Sequence, residues 1–198
     1  MKRRVRVQFA GVIFASLAAA SAQIKVDVTN LTASTQKSPD FEVGSGIKKI
    51  RNTQKDWLQI LVEFTVTGGD RREDFVGNME FRFFALPHSA PREAKKLYTT
   101  TVNHVDILKG EKLHSAIYVS PNALHRIFGR DKTVGPRDFW VAVEIYAAGK
   151  LVGYKMSDQQ VSRWWRREDV DKDTGTLRPK HITPFRDLWY DSFAETRD

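Results

Sequence analysis

The chain has 198 residues, no cysteine and a formal net charge of +8, and 41% of its residues are hydrophobic. This apolar content excludes a disordered protein, because disordered chains combine low hydrophobicity with high net charge. The length fits one domain that can bury its own core without disulfides.

The N-terminal segment, residues 1–22, has the three parts of a signal peptide. Four basic residues among the first six precede an apolar stretch over residues 7–20, and Ala20-Ser21-Ala22 is a small-x-small cleavage site. The apolar stretch is shorter than the roughly 20 residues that a membrane span needs. The sequence therefore predicts an exported protein that starts at Gln23 and is periplasmic, outer-membrane-associated or secreted. An uncleaved amphipathic anchor is the alternative.

The predicted mature chain differs in charge from the full sequence. Without the four leader cations, 28 basic residues oppose 24 acidic ones, so the mature charge is only +4. This small excess predicts no nucleic-acid partner. No later segment is long and apolar enough to predict a transmembrane segment, and the absence of cysteine excludes a lipid-anchored lipoprotein.

Alternation of apolar and polar residues predicts seven to eight strands over residues 23–156. The clearest strand covers residues 57–67. Residues 98–108 and 112–119 are predicted to pair as a hairpin, as are 139–146 and 151–156. Residues 31–46, rich in Ser, Thr, Pro and Gly, are predicted to form a loop.

One short helix is predicted over residues 121–128. Ser120 can cap it, Pro121 suits its first position and Gly129 can end it. The predicted fold class is all-β. Its architecture is an immunoglobulin-like antiparallel β-sandwich over residues 23–156 with this one helix.

The last segment, residues 157–198, is predicted to be a C-terminal arm that packs on the sandwich or on a neighbouring subunit. The strand pattern stops here, but a disordered tail rarely holds so many aromatic residues. Thr183-Pro184 predicts that the arm ends in a helix over residues 184–194. Five aromatic residues of the arm are the predicted partner-binding residues: Trp164, Trp165, Phe185, Trp189 and Tyr190.

Acidic residues alternate at Asp169, Asp171 and Asp173, as they do in calcium-binding loops. The glycine follows one place too late, and Lys180 stands where the pattern requires a carboxylate, so a solvated acidic turn is the favoured interpretation. These three residues are only weak calcium candidates.

The histidines do not have the spacing of a metal site. His104 and His114 flank the turn at 109–111, where the predicted hairpin would let them approach one another. Ser115 is adjacent to His114 in sequence, but neighbouring strand residues point to opposite faces. The sequence therefore predicts no catalytic residues, no enzyme activity and no cofactor.

A short pattern in the arm carries a family resemblance. Thr183-Pro184-Phe185 is followed by Trp189-Tyr190. With the leader and the strand spacing, this pattern resembles the end of small exported proteins of verrucomicrobial bacteria. The resemblance implies an immunoglobulin-like sandwich and, as for some of these proteins, an association with type IV pilus-like loci. It implies no catalytic residues.

These features predict a non-enzymatic binding or assembly module of the cell envelope, with protein partners that include the chain itself. The alternative is a carbohydrate-binding module in which tryptophans of the arm (Trp164, Trp165 or Trp189) or of a loop form a flat platform for a glycan. A periplasmic enzyme with an acid–base pair that no motif reveals is a third interpretation.

Overall fold

The computed structural model describes residues 22–40, 54–157 and 163–197. The predicted signal peptide lies outside the described residues, except for Ala22. In the described ranges, nine strands form two sheets. The strands are β1 (Ala22–Lys37), β2 (Asp56–Gly69), β3 (Phe75–Leu86), β4 (Leu97–Leu108), β5 (Lys112–Val119), β6 (Trp140–Ala147), β7 (Lys150–Met156), β8 (Lys172–Asp173) and β9 (Leu177–Pro179).

Helical segments are short in the described part of the chain. The α-helix α1 covers Pro121–Phe128. Five single-turn 3₁₀ helices cover Arg92–Ala94, Pro136–Asp138, Trp164–Arg166, Lys180–Ile182 and Tyr190–Ser192. No helix in the described ranges is long and apolar enough to cross a membrane.

The strand order is that of an immunoglobulin-like sandwich. Sheet I has the order β1-β2-β5-β9, and sheet II has the order β7-β6-β3-β4-β8. Without β8 and β9, the first, second and fifth strands form one sheet and the other four form the second, as strands A-B-E and G-F-C-C′ do in immunoglobulin domains. All neighbouring strands are antiparallel except β4 and β8. The predicted fold class is therefore confirmed.

The core lies between the two sheets because the inward residues of each strand recur with a period of two. Ile60, Val62 and Phe64 of β2 are fully buried and face the aromatic side chains of β3. The rings of Phe64 and Phe81 lie 4.8 Å apart. Each such buried side chain contributes about 1.5–3 kcal/mol.

One of the two predicted hairpins is wrong. β4 pairs with β3 in sheet II, whereas β5 pairs with β2 in sheet I. The turn at Gly110, with a φ of 77°, therefore carries the chain from one sheet to the other. The second predicted hairpin is confirmed, since β6 pairs with β7 through Ala148 and Gly149, both at positive φ.

The two predictions that concern a loop and the helix 121–128 have opposite outcomes. β1 continues to Lys37, so the loop predicted from residue 31 is wrong up to that point; residues 41–53 lie outside the described ranges. Helix α1 has the predicted bounds. The Ser120 hydroxyl accepts a hydrogen bond from the Ala123 amide, and Gly129 has a φ of 89°.

The arm wraps around the sandwich. Trp164 and Trp165 cover the outer face of sheet II, and β8 then pairs with the edge strand β4. The chain crosses to sheet I, where β9 pairs with the edge strand β5. Phe185 covers the outer face of sheet I. The arm therefore adds a strand to each sheet and an apolar cover to each outer face.

The predicted helix over residues 184–194 is wrong. Its predicted start exists, because the Thr183 hydroxyl accepts a hydrogen bond from the Phe185 amide at 3.3 Å. The following hydrogen bonds, such as Leu188 N–H to the Phe185 carbonyl, span three residues and form separate turns. Trp189 then takes a left-handed conformation with a φ of 50°. Such a residue ends helical geometry because its Cβ crowds the backbone.

Candidate functional site

The five predicted partner-binding residues fall into two groups. Trp164, Trp165 and Phe185 are buried within this chain, and each is only 2% exposed. Trp189 and Tyr190 are 64% and 61% exposed. The structure therefore corrects the expectation for the buried three, whose side chains anchor the arm and are out of a partner's reach.

The tryptophan anchor is held by a buried carboxylate. Glu144 of β6 accepts hydrogen bonds from Trp165 Nε1 at 2.9 Å, Arg166 Nε at 2.7 Å and the Tyr146 hydroxyl at 2.8 Å. Burial alone would raise the pKa of Glu144, but these three donors lower the pKa below its ordinary value. Trp164 packs edge-on against Trp165, with ring centroids 5.6 Å apart.

The phenylalanine anchor lies on the opposite face of the molecule. The ring of Phe185 stacks on Tyr118 at 4.4 Å and meets Trp57 edge-on at 5.6 Å. The Tyr118 hydroxyl accepts a hydrogen bond from Gln59 Nε2 at 2.7 Å. Burial raises the pKa of Tyr118 to about 12, so this contact is insensitive to pH in the physiological range.

Among the described residues of the arm, three large apolar side chains remain exposed. Ile182 is 57% exposed and lies at the end of the 3₁₀ helix that follows β9. Trp189 and Tyr190 follow the turns that the packing of Phe185 holds against sheet I. The left-handed Trp189 begins the 3₁₀ helix Tyr190–Ser192. Ile182, Trp189 and Tyr190 are called the arm surface below.

A cavity of about 320 Å³ lies between the arm and the sandwich, beside the arm surface. Ile182 and Tyr190 line it, so it is continuous with that surface. Residues of β4 and β5 form its sandwich side, and two basic residues of the arm, Lys180 and Arg186, contribute to its other wall.

A histidine and a serine meet at the sandwich side of this cavity. Nδ1 of His104 lies 3.1 and 3.0 Å from the carbonyl oxygens of Ala194 and Glu195. Since both are acceptors, Nδ1 carries the hydrogen, and Nε2 accepts a hydrogen bond from the Ser115 hydroxyl at 2.7 Å. Burial lowers the pKa of His104 to about 4, so its imidazole is neutral at pH 7.

The hydrogen bond between Ser115 and His104 has the form of a nucleophile beside a general base. However, Ser115 is 0% exposed, so its hydroxyl does not face solvent even though the residue lines the cavity. Sequence reasoning missed this contact because it crosses from β4 to β5, which lie in different sheets.

The two histidines that the sequence predicted to approach one another both bind the backbone of the arm. Nδ1 of His114 lies 2.9 Å from the carbonyl oxygen of Ser192. His104 binds the carbonyl oxygens of Ala194 and Glu195. They therefore fasten the last turn of the arm to β4 and β5.

Lys180 is a buried cation on the cavity wall. It is 9% exposed, and its Nζ donates a hydrogen bond to the Arg186 carbonyl at 2.6 Å. The ammonium also lies 4.4 Å from the centre of the Phe193 ring. Burial lowers the pKa of Lys180 below its ordinary value.

The weak calcium candidates Asp169 and Asp173 bind different protein groups. Asp169 pairs with Arg167 through two hydrogen bonds. Asp173 accepts hydrogen bonds from the backbone amides of Gly175 and Thr176 at 3.0 Å each, and thus caps a turn. In the part of the chain that the structure describes, no group of three His, Cys, Asp or Glu residues is placed to hold a metal, so Asp171 has no such partners.

Comparison with known proteins places the chain in a family. The crystal structure of a protein from Akkermansia muciniphila has the same fold, with a TM-score of 0.76 and 21% sequence identity over 89% of this chain and 95% of that chain. No curated protein matches the sequence. The resemblance to verrucomicrobial proteins is confirmed. A protein-family model matches residues 17–198, which is nearly the whole sequence, and the chain belongs to the family that this model describes.

Proposed function

We propose that this protein is a non-enzymatic binding module of the cell envelope that recognises a protein partner through the arm surface. The observation that carries the proposal is the exposure of Trp189 and Tyr190, at 64% and 61%, on a segment that is fixed to the sandwich on both sides of them. Phe185 anchors the chain before this pair, and the His104 and His114 contacts anchor it after the pair.

Fixed, exposed aromatic residues are well suited to a protein interface. Tryptophan and tyrosine are enriched at the energetic centres of interfaces, and a rigid segment loses little conformational entropy on binding. Exposed large apolar residues elsewhere, such as Phe75 and Leu151, belong to other segments of the sandwich. The arm surface instead has three within nine residues.

The non-enzymatic part of the proposal is supported by the burial of Ser115. Its hydrogen bond to His104 joins β5 to β4 and to the end of the arm, which is a structural role. The envelope location is supported by the leader sequence. The family match and the resemblance in the arm favour an association with a pilus-like surface structure.

The proposal is tested by capture from the cell envelope of the source organism. The mature chain from Gln23 is tagged and crosslinked in envelope extract beside a Trp189→Ala/Tyr190→Ala double variant. We expect specific protein partners, pilus-like subunits or a second copy among them, to be lost from the double variant. Phe75→Ala, which truncates an exposed ring of β3, is the matched control and retains them. Equal capture by both variants contradicts the proposal.

Carbohydrate binding is the second candidate, and the exposed indole of Trp189 is the observation that favours it. A flat exposed ring can stack on a sugar. Trp164 and Trp165 are buried and are no longer candidates for the platform. We expect this candidate to show glycan-array binding that Trp189→Ala abolishes. An array without signal eliminates it.

A further inference from the structure

The starting point is the ammonium of Lys180, a residue that is 9% exposed. A charge that leaves water is costly unless an opposite charge or several hydrogen bonds compensate it. An ammonium has three N–H donors. For Lys180 the structure gives one hydrogen bond, to the Arg186 carbonyl, and the face of the Phe193 ring. Among the described residues, no carboxylate forms an ion pair with this ammonium within 4.0 Å. The carboxylate of Asp187 acts on it only from a longer distance, and burial still lowers the pKa of Lys180.

The cavity beside Lys180 has room for a compensating anion. Its volume of about 320 Å³ lies in the range of small-ligand sites. Arg186 stands at its rim with its side chain 70% exposed, and its pairing with Asp187 is a loose contact at 3.5 Å. One acidic residue, Glu195, also lines the cavity, but it is exposed to solvent. Lys180 and Arg186 therefore give the lining of the cavity more positive than negative charge.

We propose that this cavity binds the carboxylate of an acidic side chain of the protein partner. The inference rests on the proposed function and names the chemistry that the same surface recognises. The Lys180 ammonium balances the single charge of a carboxylate, whereas a phosphate needs a second buried cation, and the side chain of Arg186 is 70% exposed at the rim. Lysine acts as a compact point charge, whereas phosphate sites favour the bidentate fork of arginine.

The neighbourhood of the cavity favours a peptide as the carrier of that carboxylate. Ile182 and Tyr190 line the cavity and also belong to the exposed arm surface. A partner segment can therefore place an apolar side chain on Trp189 and Tyr190 and an acidic group against Lys180 at once. Such a pair of contacts supplies both area and charge complementarity.

The test uses the mature chain and two matched peptide models. N-acetylglutamate amide carries the carboxylate, and N-acetylglutamine amide is its neutral counterpart. NMR titration follows the side-chain Cε–Hε resonances of Lys180. We expect the Glu model to shift them with a dissociation constant on the order of 1 mM and to raise the pKa of Lys180. The Gln model leaves both unchanged.

Two variants assign the site. Arg186→Gln alters only the rim and is expected to weaken binding of the Glu model a few-fold. Lys180→Met removes the charge and keeps most of the side-chain length. We expect it to weaken binding of the Glu model at least tenfold, as measured on the resonances of the other cavity residues. Lys37→Met, at an exposed lysine of β1, is the control and leaves binding unchanged.

The outcomes separate this inference from the proposed function. Equal responses to the Glu and Gln models, or no response to either, overturn the carboxylate site. A response to glucuronate with none to the Glu model also overturns it and indicates an acidic sugar. Because these titrations need no captured partner, their failure leaves the Trp189/Tyr190 capture experiment intact as the test of the proposed function.

Discussion

At the scale of single residues, His104 makes the attachment of the arm sensitive to acid. Its pKa falls from an ordinary value of 6.5 to about 4 in the folded chain because it is buried. The unfolded state therefore binds a proton more readily. The stability linked to His104 is complete above pH 6.5 and is lost as the pH falls towards 4. The full loss, reached only below pH 4, is about 3 kcal/mol. About 2 kcal/mol of it falls between pH 7 and pH 5, where urea unfolding measures it.

Variants isolate this contribution from that of the carboxylates that also titrate in acid. His104→Gln does not titrate, so we expect a flatter dependence of the unfolding free energy on pH between 7 and 5, although the variant is less stable at pH 7. His125→Gln, at an exposed position of α1, is the control and keeps the wild-type pH dependence. Parallel curves for the wild type and His104→Gln would show that His104 is not the group responsible.

Glu144 is the residue that fastens the first half of the arm. Glu144→Gln removes the negative charge that pairs with Arg166. It also replaces one acceptor oxygen by an NH₂ group, which cannot accept the hydrogen bonds of the surrounding donors. We expect this change to cost about 1–3 kcal/mol of unfolding free energy, measured by denaturant titration. Because hydrogen bonds lower the pKa of Glu144, its contribution is present above the ordinary pKa of 4.5 and is lost below the folded value.

A second glutamate gives the comparison for Glu144. Glu80 pairs with Arg82 on the exposed surface of β3. Exposed pairs contribute about 0–1 kcal/mol, so Glu80→Gln is expected to leave the unfolding free energy nearly unchanged. If both substitutions had the same small effect, the buried network around Trp165 would not be what holds the arm to sheet II.

At the scale of elements, Phe185 holds the second half of the arm. Phe185→Ala removes the ring that stacks on Tyr118 and meets Trp57. We expect a loss of about 3–5 kcal/mol, as for other buried aromatic residues. Faster hydrogen exchange in residues 177–193, with the strands between the sheets still protected, is the measurement that locates the loss in the arm. Unchanged exchange there argues against this anchor.

Elements with local signals were predictable from the sequence, whereas pairings were not. The cap, the first-position proline and the terminal glycine of α1 lie within ten residues of one another, so its bounds are confirmed. The alternation in β4 and β5 shows that each is a strand, but a turn at Gly110 suits a hairpin and a crossing between sheets equally well. β8 and β9 have two and three residues, too few to show a period.

The candidate site was predictable only in part. The sequence singled out the aromatic residues of the arm, but composition does not distinguish a buried anchor from an exposed ring. Only their contacts distinguish Trp165 from Trp189. The indole of Trp165 donates a hydrogen bond to Glu144, whereas the indole of Trp189 lies in solvent. The cavity was not predictable, because Lys180 and His104 are brought together by the wrapping of the arm over both sheets.

At the scale of the whole molecule, each long sheet edge in the described ranges is covered over part of its length. Unpaired edges invite association with another chain. On one side β8 and β9 of the arm cover the edges of β4 and β5. On the other side β7 lies against β1, and Lys155 donates hydrogen bonds to the carbonyls of Val28 and Thr29 at 2.8 and 2.7 Å. The arm is therefore part of the folded body.

Removal of the arm after Met156 is the strongest test of this architecture. It uncovers the edges of β4 and β5 together with the outward side chains that Phe185, Trp164 and Trp165 now bury, Tyr118 and Ala142 among them. We expect the truncated chain to aggregate, to bind a hydrophobic dye and to unfold at a lower denaturant concentration than the mature protein. Size-exclusion chromatography with light scattering measures the aggregation, and denaturant titration measures the stability.

The controls for this truncation are the surface variants. Trp189→Ala/Tyr190→Ala keeps every covering contact of the arm and should remain as monodisperse and as stable as the mature chain. If the truncated chain were equally monodisperse and stable, the arm would be an accessory and not a structural layer. If it aggregates as expected, loss of a partner on truncation says nothing about recognition, because an unprotected sandwich loses its partners with its fold. Recognition by the arm must therefore be measured with substitutions on its exposed surface.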